Sequence, residues 1–281
     1  MHKLKFYTFN KINKQITMKT CICVQIKNEN LYLLEFVEYY YKLGFSKMYI
    51  YDNNDYEFPN LIVQKYIDNG FVEIINIRNI KQNQQHSYQD CYDKHNNEYD
   101  WFLFCDCDEY LTLQQHNSIN DYLSDNRFNE YQCIFINWRI MNDGYKNLCY
   151  YENKSLIERF DYYNEDDGVN KHTKSILRGS LKNIDWISSG THSPIKQNVK
   201  VCDCEGNNIE EINNILYGPN YNLAYFKHFI VKTPTEYIFG KVKRGCPDLS
   251  AEENNNRHTK DFYFAFSKWT KEKEEIFANY F

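Results

Sequence analysis

The sequence predicts an α/β fold in which a mostly parallel central sheet is flanked by helices, and three observations carry that reading. Four short apolar runs alternate with three helix-like segments in residues 1–110, the order that sends parallel strands through helical crossovers. No Pro/Gly/Ser-rich linker or internal repeat divides the chain, so one domain over residues 1–281 is expected. Apolar residues make up 42% and charged residues 25%, a balance that builds an ordinary globular core.

Taken in order, residues 1–20 form an N-terminal extension or a first strand. They carry Lys and aromatics but no continuous apolar run, so neither a signal peptide nor a membrane-spanning segment is expected, and the chain reads as soluble and cytoplasmic. Cys21–Ile26 is a short buried strand. Leu33, Phe36, Val37, Tyr40 and Tyr41 recur at helical spacing until Gly44 stops the helix. Lys47–Tyr51 is the second strand. A helix with Pro59 at its start and Gly70 past its end follows, the usual asymmetry of those two residues. Phe71–Ile77 is the third strand, Gln84–Asn97 the third helix, and Trp101–Cys105 a fourth apolar run too short for a helix. Residues 116–281 hold shorter β-like runs at Cys133–Trp138, Thr173–Leu177 and Asn222–Phe229. Thr233-Pro-Thr-Glu236 reads as a helix start closed by a capping box.

A formal charge of −5 and a pI near 5.9 leave no broad basic surface, which disfavours a nucleic-acid partner while local Lys and Arg can still meet a small anion. The ten cysteines have no spaced framework and read as reduced thiols; zinc on Cys202, Cys204 and a distant His is a weak competing signal. Aromatics reach 17%, enough for core packing and for a groove that stacks on sugars or bases.

The densest chemistry lies in Phe104-Cys-Asp-Cys-Asp-Glu-Tyr110, where Asp106, Asp108 and Glu109 leave the end of an apolar strand. Residues two apart on an extended segment share a side, so Asp106 and Asp108 can converge on a hard divalent ion that bridges two phosphates. A solvated acidic turn is the competing reading. Position at the carboxyl end of an inner strand favours the ion, because ligands of open α/β sheets bind there. Asn28-Glu29 and Asp52-Asn53-Asn54 follow the first two strands at the same edge and can hydrogen-bond a base and a ribose. Capping and turn formation explain each of these clusters equally well when taken alone.

The order of these segments resembles glycosyltransferase family 92 and related family 2-like enzymes of the Rossmann-like GT-A fold, over almost the whole chain. Lys27–Tyr39, Gly44–Asn54, Gln85–Tyr88 with Cys91, and Trp101–Leu111 carry the first part of the likeness. Glu158–Phe160, Lys174–Arg178, Gly190–His192, Lys227–Lys232 and Lys241–Gly245 carry the rest, and Met141-Asn-Asp-Gly144 departs from the family text. The resemblance implies a nucleotide-sugar-binding half at 21–115 and an acceptor-binding half at 116–281. It implies that Asp106, Asp108 and His228 hold manganese or magnesium, and that Lys232 and Arg244 meet the donor diphosphate. Asn28, Glu29, Asp52, Asn53, Gln85 and Lys174 are the further donor-binding residues, although an exposed strand-edge lysine is the other account of Lys174. His192 falls on the acceptor side.

The expected activity is metal-dependent transfer of a sugar from a nucleotide diphosphate sugar, a uridine diphosphate sugar by analogy, to a glycan or other hydroxyl acceptor with inversion. Inversion requires a base, for which Asp143 and Glu158 are the candidates and Asp185 a third; with none in the cleft, front-face retention is the better account. A sugar nucleotidyltransferase would show a Gly-rich basic loop after the first strand, which Lys27-Asn-Glu-Asn30 does not supply. A catalytically inactive carbohydrate-binding or scaffold protein of the same fold is the remaining alternative.

Overall fold

The computed structural model describes residues 18–80, 84–163, 168–182, 184–194, 199–210, 218–245, 258–267 and 270–279. The first half follows the periodicity closely: β1 (Thr20–Ile26), α1 (Asn30–Leu43), β2 (Lys47–Asp52), α2 (Pro59–Asp68), β3 (Val72–Asn76), α3 (Gln84–His95) and β4 (Trp101–Phe104). These strands lie in the order β3-β2-β1-β4, all parallel, with Cys23 of β1 opposite Tyr49 of β2 and Phe104 of β4. Every residue of β1 is buried, the polar Thr20 and Gln25 included, because helices cover both faces of its sheet.

The two faces hold different cores. Ile22, Val24 and Ile26 pack with Leu33, Phe36 and Val37 of α1, whereas Cys21 and Cys23 pack with Tyr88, Cys91 and Tyr92 of α3. Helix α1 ends where Gly44 takes φ +94° and its N–H turns back to the carbonyls of Tyr40 and Tyr41, a left-handed cap that a side chain resists.

Beyond β4 the sheet becomes mixed. The elements are β5 (Glu109–Leu113), β6 (Cys133–Asn142), β7 (Tyr162–Tyr163), β8 (Thr173–Arg178), β9 (Val201–Cys202), β10 (Asn208–Ile209) and β11 (Ala224–His228). Strand β8 lies antiparallel between β4 and β6. The parallel order expected from the sequence therefore describes the β1–β4 half, and strands that return without a helical crossover complete the sheet. At ten residues, β6 is longer than the run read from the sequence, and its far half pairs with β11 while β11 pairs in turn with β5. That second pairing sets His228 opposite Glu109.

Short helices α4 (Ile119–Leu123), α5 (Leu156–Arg159), α6 (Trp186–Ser189) and α7 (Pro234–Tyr237) pack around this frame, followed by α8 (Lys260–Phe266) and α9 (Lys271–Ala278). The capping box expected at Thr233 and Glu236 is formed in both directions. Among the described residues nine cysteines are buried free thiols, and the sulfurs of Cys202 and Cys204 approach the carbonyls of Cys133 and Asn220 at 3.8 and 3.4 Å. Among the described residues no helix is long and apolar enough to cross a membrane.

Candidate functional site

Strand β4 stops at Phe104 because the next residues fold into a turn that bonds to itself. The N–H of Glu109 donates to the Asp106 carbonyl at 3.0 Å, and the N–H of Asp106 donates to the Glu109 carboxyl at 2.9 Å. Asp106 and Asp108 are thereby aimed into a cleft of about 590 Å³, while Glu109 is driven inward and fully buried. The cleft opens at the carboxyl ends of β1 and β4, where an open α/β sheet places its ligand.

Two ionised carboxylates face three ammonium groups there. Lys174 reaches Asp106 Oδ2 at 3.0 Å, and Lys241 and Lys232 reach Asp108 Oδ2 at 3.0 and 3.7 Å. Burial alone would raise both carboxyls. Lys174 outweighs it at Asp106, and Lys241 with Lys232 holds Asp108 far below the usual carboxylate range. Glu109 behaves oppositely: burial pushes it well above that range even with Lys174 at 3.7 Å, and its Oε1 is buried without a hydrogen-bond partner. Three ammonium groups stand against the two carboxylates that line the cleft, one positive charge in excess. That surplus suits a dianionic or trianionic phosphate ester.

The wall of the cleft is Trp138, ringed by His228, His192 and His172 at centroid distances of 4.4, 5.1 and 5.2 Å. Burial lowers the pKa of all three imidazoles, to about 4 for His228, and keeps them neutral. Among the described residues no three His, Cys, Asp or Glu side chains converge as a closed metal cage. The donor set does fit a phosphate-bridged ion. Asp108 Oδ1 carries no lysine and stands 3.6 Å from His228 Nε2, which offers one carboxylate oxygen and one neutral imidazole. Magnesium-type sites take one or two protein groups and fill the rest with substrate phosphates and water.

The structure distributes the residues read from the sequence unevenly. Glu29, Gln85, Lys174 and Arg244 line the cleft with Asp106, Asp108, His192 and His228, and Lys232 meets Asp108 from behind. Lys174 is not an exposed edge lysine: it is buried on β8 between β4 and β6. Glu29 pairs with Arg244 at 2.9 Å. Asn28, Asp52 and Asn53 do not line the cleft. Asn28 takes φ +50° and bonds Asp55, Asp52 is gripped by Arg78 at 2.8 Å, and the Asn53 N–H donates to the Ile26 carbonyl at 3.0 Å. These polar groups stabilise the loop instead of facing a ligand.

The three carboxylates expected as bases lie elsewhere. Asp143 is buried against Lys273 of α9 at 2.6 Å, Glu158 is exposed and closes the capping box of α5, and Asp185 caps α6 by accepting the Ser188 N–H at 3.0 Å. None lines the cleft. The reading of Asp143 and Glu158 as catalytic is corrected accordingly, since each carboxylate is held by a structural partner. The sequence reading missed Gln84, which bonds Asp106, along with Lys27, Trp138, His172 and the ammonium of Lys241. Lys241 had a legible signal, because it follows the capping box on the same winding, in the π-turn Ile238–Val242.

Comparison with known proteins places this geometry. The model of glycosyltransferase family 92 matches residues 16–261. A glycosyltransferase family 92 protein of Ricinus communis is 26% identical over 101 residues, 36% of this chain and 18% of that protein. One of Oryza sativa subsp. japonica is 22% identical over 127 residues, 41% of this chain and 20% of that protein. The chain thus spans about a fifth of the length of these plant relatives. Among solved structures, S. aureus TarS 1–349 superposes with a TM-score of 0.43 at 15% identity, covering 93% of this chain and 78% of that one. Its complex with UDP-GlcNAc gives 0.35 at 18% identity over 44% and 35%. Superpositions this loose add nothing to the family match.

Proposed function

The chain belongs to glycosyltransferase family 92, and on that premise we propose that it transfers a sugar from a uridine diphosphate sugar to a hydroxyl of a glycan or similar acceptor, with retention unless a base other than Asp143, Glu158 and Asp185 stands in the cleft. The observation that carries the reading is the cationic surplus at the end of β4: Lys174, Lys232 and Lys241 held around Asp106 and Asp108. As the bond from the sugar to the diphosphate breaks, negative charge grows on the leaving phosphate. Ammonium groups already held in place by Asp106 and Asp108 stabilise that charge with little reorganisation. Glu29 keeps Arg244 oriented at the mouth, where it can meet the second phosphate bidentately. Trp138 presents an aromatic wall on which a sugar ring can lie.

A bound manganese or magnesium ion would add Lewis-acid charge at the diphosphate, and Asp106, Asp108 and His228 are the residues that would hold it. The neutral state of His228 is the one a metal ligand needs. A nucleotidyltransferase is disfavoured by the β1–α1 connection. It contains no glycine, and Glu29 there is ion-paired to Arg244.

Calorimetric titration of UDP with and without manganese tests both parts. Binding that requires the ion is the expected result. Equal affinity in its absence removes the metal from the proposal, and no binding under either condition removes the donor. Release of UDP from a panel of nucleotide sugars then separates a working transferase from an inactive scaffold.

A further inference from the structure

For inversion, the attacking hydroxyl must give up its proton to a group that stands in the cleft with a lone pair to offer. Among the described residues, the carboxylates that line the cleft are all ion-paired: Glu29 with Arg244 at 2.9 Å, Asp106 with Lys174 at 3.0 Å and Asp108 with Lys241 at 3.0 Å. Each would have to abandon its cation to act.

His192 is built differently. Its Nδ1 lies 2.8 Å from the carbonyl oxygen of Thr173. A carbonyl only accepts, so Nδ1 carries the ring proton and Nε2 keeps its lone pair. No described residue bonds Nε2, and the ring lines the cleft. Its orientation is fixed on two sides. Trp138 packs against the ring edge-on at 5.1 Å, and the Ser175 hydroxyl donates to the His192 carbonyl at 2.5 Å. A base whose tautomer and direction are set by a third group is the arrangement that nucleophile activation uses on many folds. The neighbouring imidazoles lack it: His228 faces Asp108, and Nδ1 of His172 is buried without a partner.

We propose that His192 Nε2 accepts the proton of the attacking hydroxyl, an inference that rests on the sugar-transfer reading above. The hydroxyl oxygen forms the new bond to the anomeric carbon as the bond to the diphosphate oxygen breaks. The bonding pair leaves with the nucleoside diphosphate, and the proton moves to Nε2, from which it passes to solvent after product leaves. The charged groups facing the ring are Lys174 from β8 and Asp106 from the turn after β4, with His172 beside it at 5.5 Å. Burial first and Lys174 second lower its pKa to about 3, so the ring is uncharged at neutral pH. A diphosphate that neutralises Lys174 weakens the second of these effects as the donor binds.

The test uses the full chain with manganese and UDP-galactose or UDP-N-acetylglucosamine, reading UDP release, with water or a hexoside as acceptor. His192→Gln should lower kcat by about 10²–10⁴-fold, the usual worth of a positioned base, with KM and the affinity for UDP within roughly threefold of the parent. His192→Ala should lose activity similarly and recover part of it with added imidazole, which a merely structural role would not allow. The released sugar should show inverted configuration by NMR. Turnover of His192→Gln within about tenfold of the parent, or a retained product, overturns the assignment of the base alone. A parent that binds no UDP overturns the transfer reading, and this inference with it.

Discussion

Replacing Arg159 by Met tests whether the ion pair beneath the site is structural in the way the geometry says. Arg159 meets Glu236 through two bonds of 2.8 and 2.9 Å, with the two side chains only 1% and 2% exposed. Tyr32 donates a third bond to the same carboxylate at 2.7 Å, and the Thr233 hydroxyl a fourth at 2.6 Å. Removing one partner of a buried pair costs about 3–5 kcal/mol, because the other charge is left in a low dielectric. Tyr32 and Thr233 still solvate Glu236, so the lower end, about 3 kcal/mol, is expected. At roughly 2–4 °C per kcal/mol for a chain of this size class, the melt should fall by about 6–12 °C.

The pH dependence gives a second check. Burial alone would raise the Glu236 pKa, but the Arg159 bonds and charge, aided by Thr233 and Tyr32, hold it below the ordinary value. A group depressed on folding stabilises above its unfolded pKa, about 4.3 for Glu, and loses that contribution as pH falls through the folded pKa. In Arg159→Met only burial and the neutral donors remain, so the carboxyl becomes a liability at pH 7 that protonation relieves. Urea denaturation at about pH 7 and about pH 4 should therefore show the gap between parent and variant narrowing in acid. Adding Glu236→Gln to Arg159→Met should restore much of the loss, since Gln keeps the cap without the charge. A single variant within about 1 kcal/mol of the parent, or a gap independent of pH, would refute the argument.

Asp108→Asn should lower turnover by about 10²–10³-fold, the cost of losing one preorganised charge in the site. It should also lower the melt, because Lys232 and Lys241 then lose the carboxylate they share; an active, equally stable variant would remove Asp108 from the site. Lys273→Met, which strands the 4%-exposed Asp143 carboxylate, should cost about 3–5 kcal/mol in urea denaturation while calorimetry shows unchanged UDP affinity. A changed affinity would return Asp143 to the cleft. Gly179→Ala would set a Cβ on the Tyr99 carbonyl oxygen and 2.6 Å from that of Asn96. Both obstacles are backbone, so a loss of about 1–3 kcal/mol or more is expected, and a neutral melt would show that the β8 end can shift.

Much of the first half was legible because its signals are local. The Leu33-to-Tyr40 stripe with Gly44 behind it, the Pro59 and Gly70 boundaries and the Trp101 run each depend on neighbours within a turn or two, and the observed elements end within a few residues of those expected. The continuation of β6 to Asn142 was less legible. The residues after Trp138 extend only because β11 and β7 pair with them, and those partners come from elsewhere in the chain.

What the sequence determined unaided is the alternation of strands and helices, the capping box at Thr233 and the acidic cluster at a strand end, all patterns of short range. Only the tertiary structure decided which polar residues face the cleft. Asp143, Glu158 and Asp185 looked like bases and became an ion-pair partner and two helix caps, while Lys241 joined Asp108 from 133 residues away. A carboxylate has the same appearance in one dimension whether it caps a helix, pairs with a buried lysine or meets a substrate. The choice among these is made by what burial brings within about 3 Å of it.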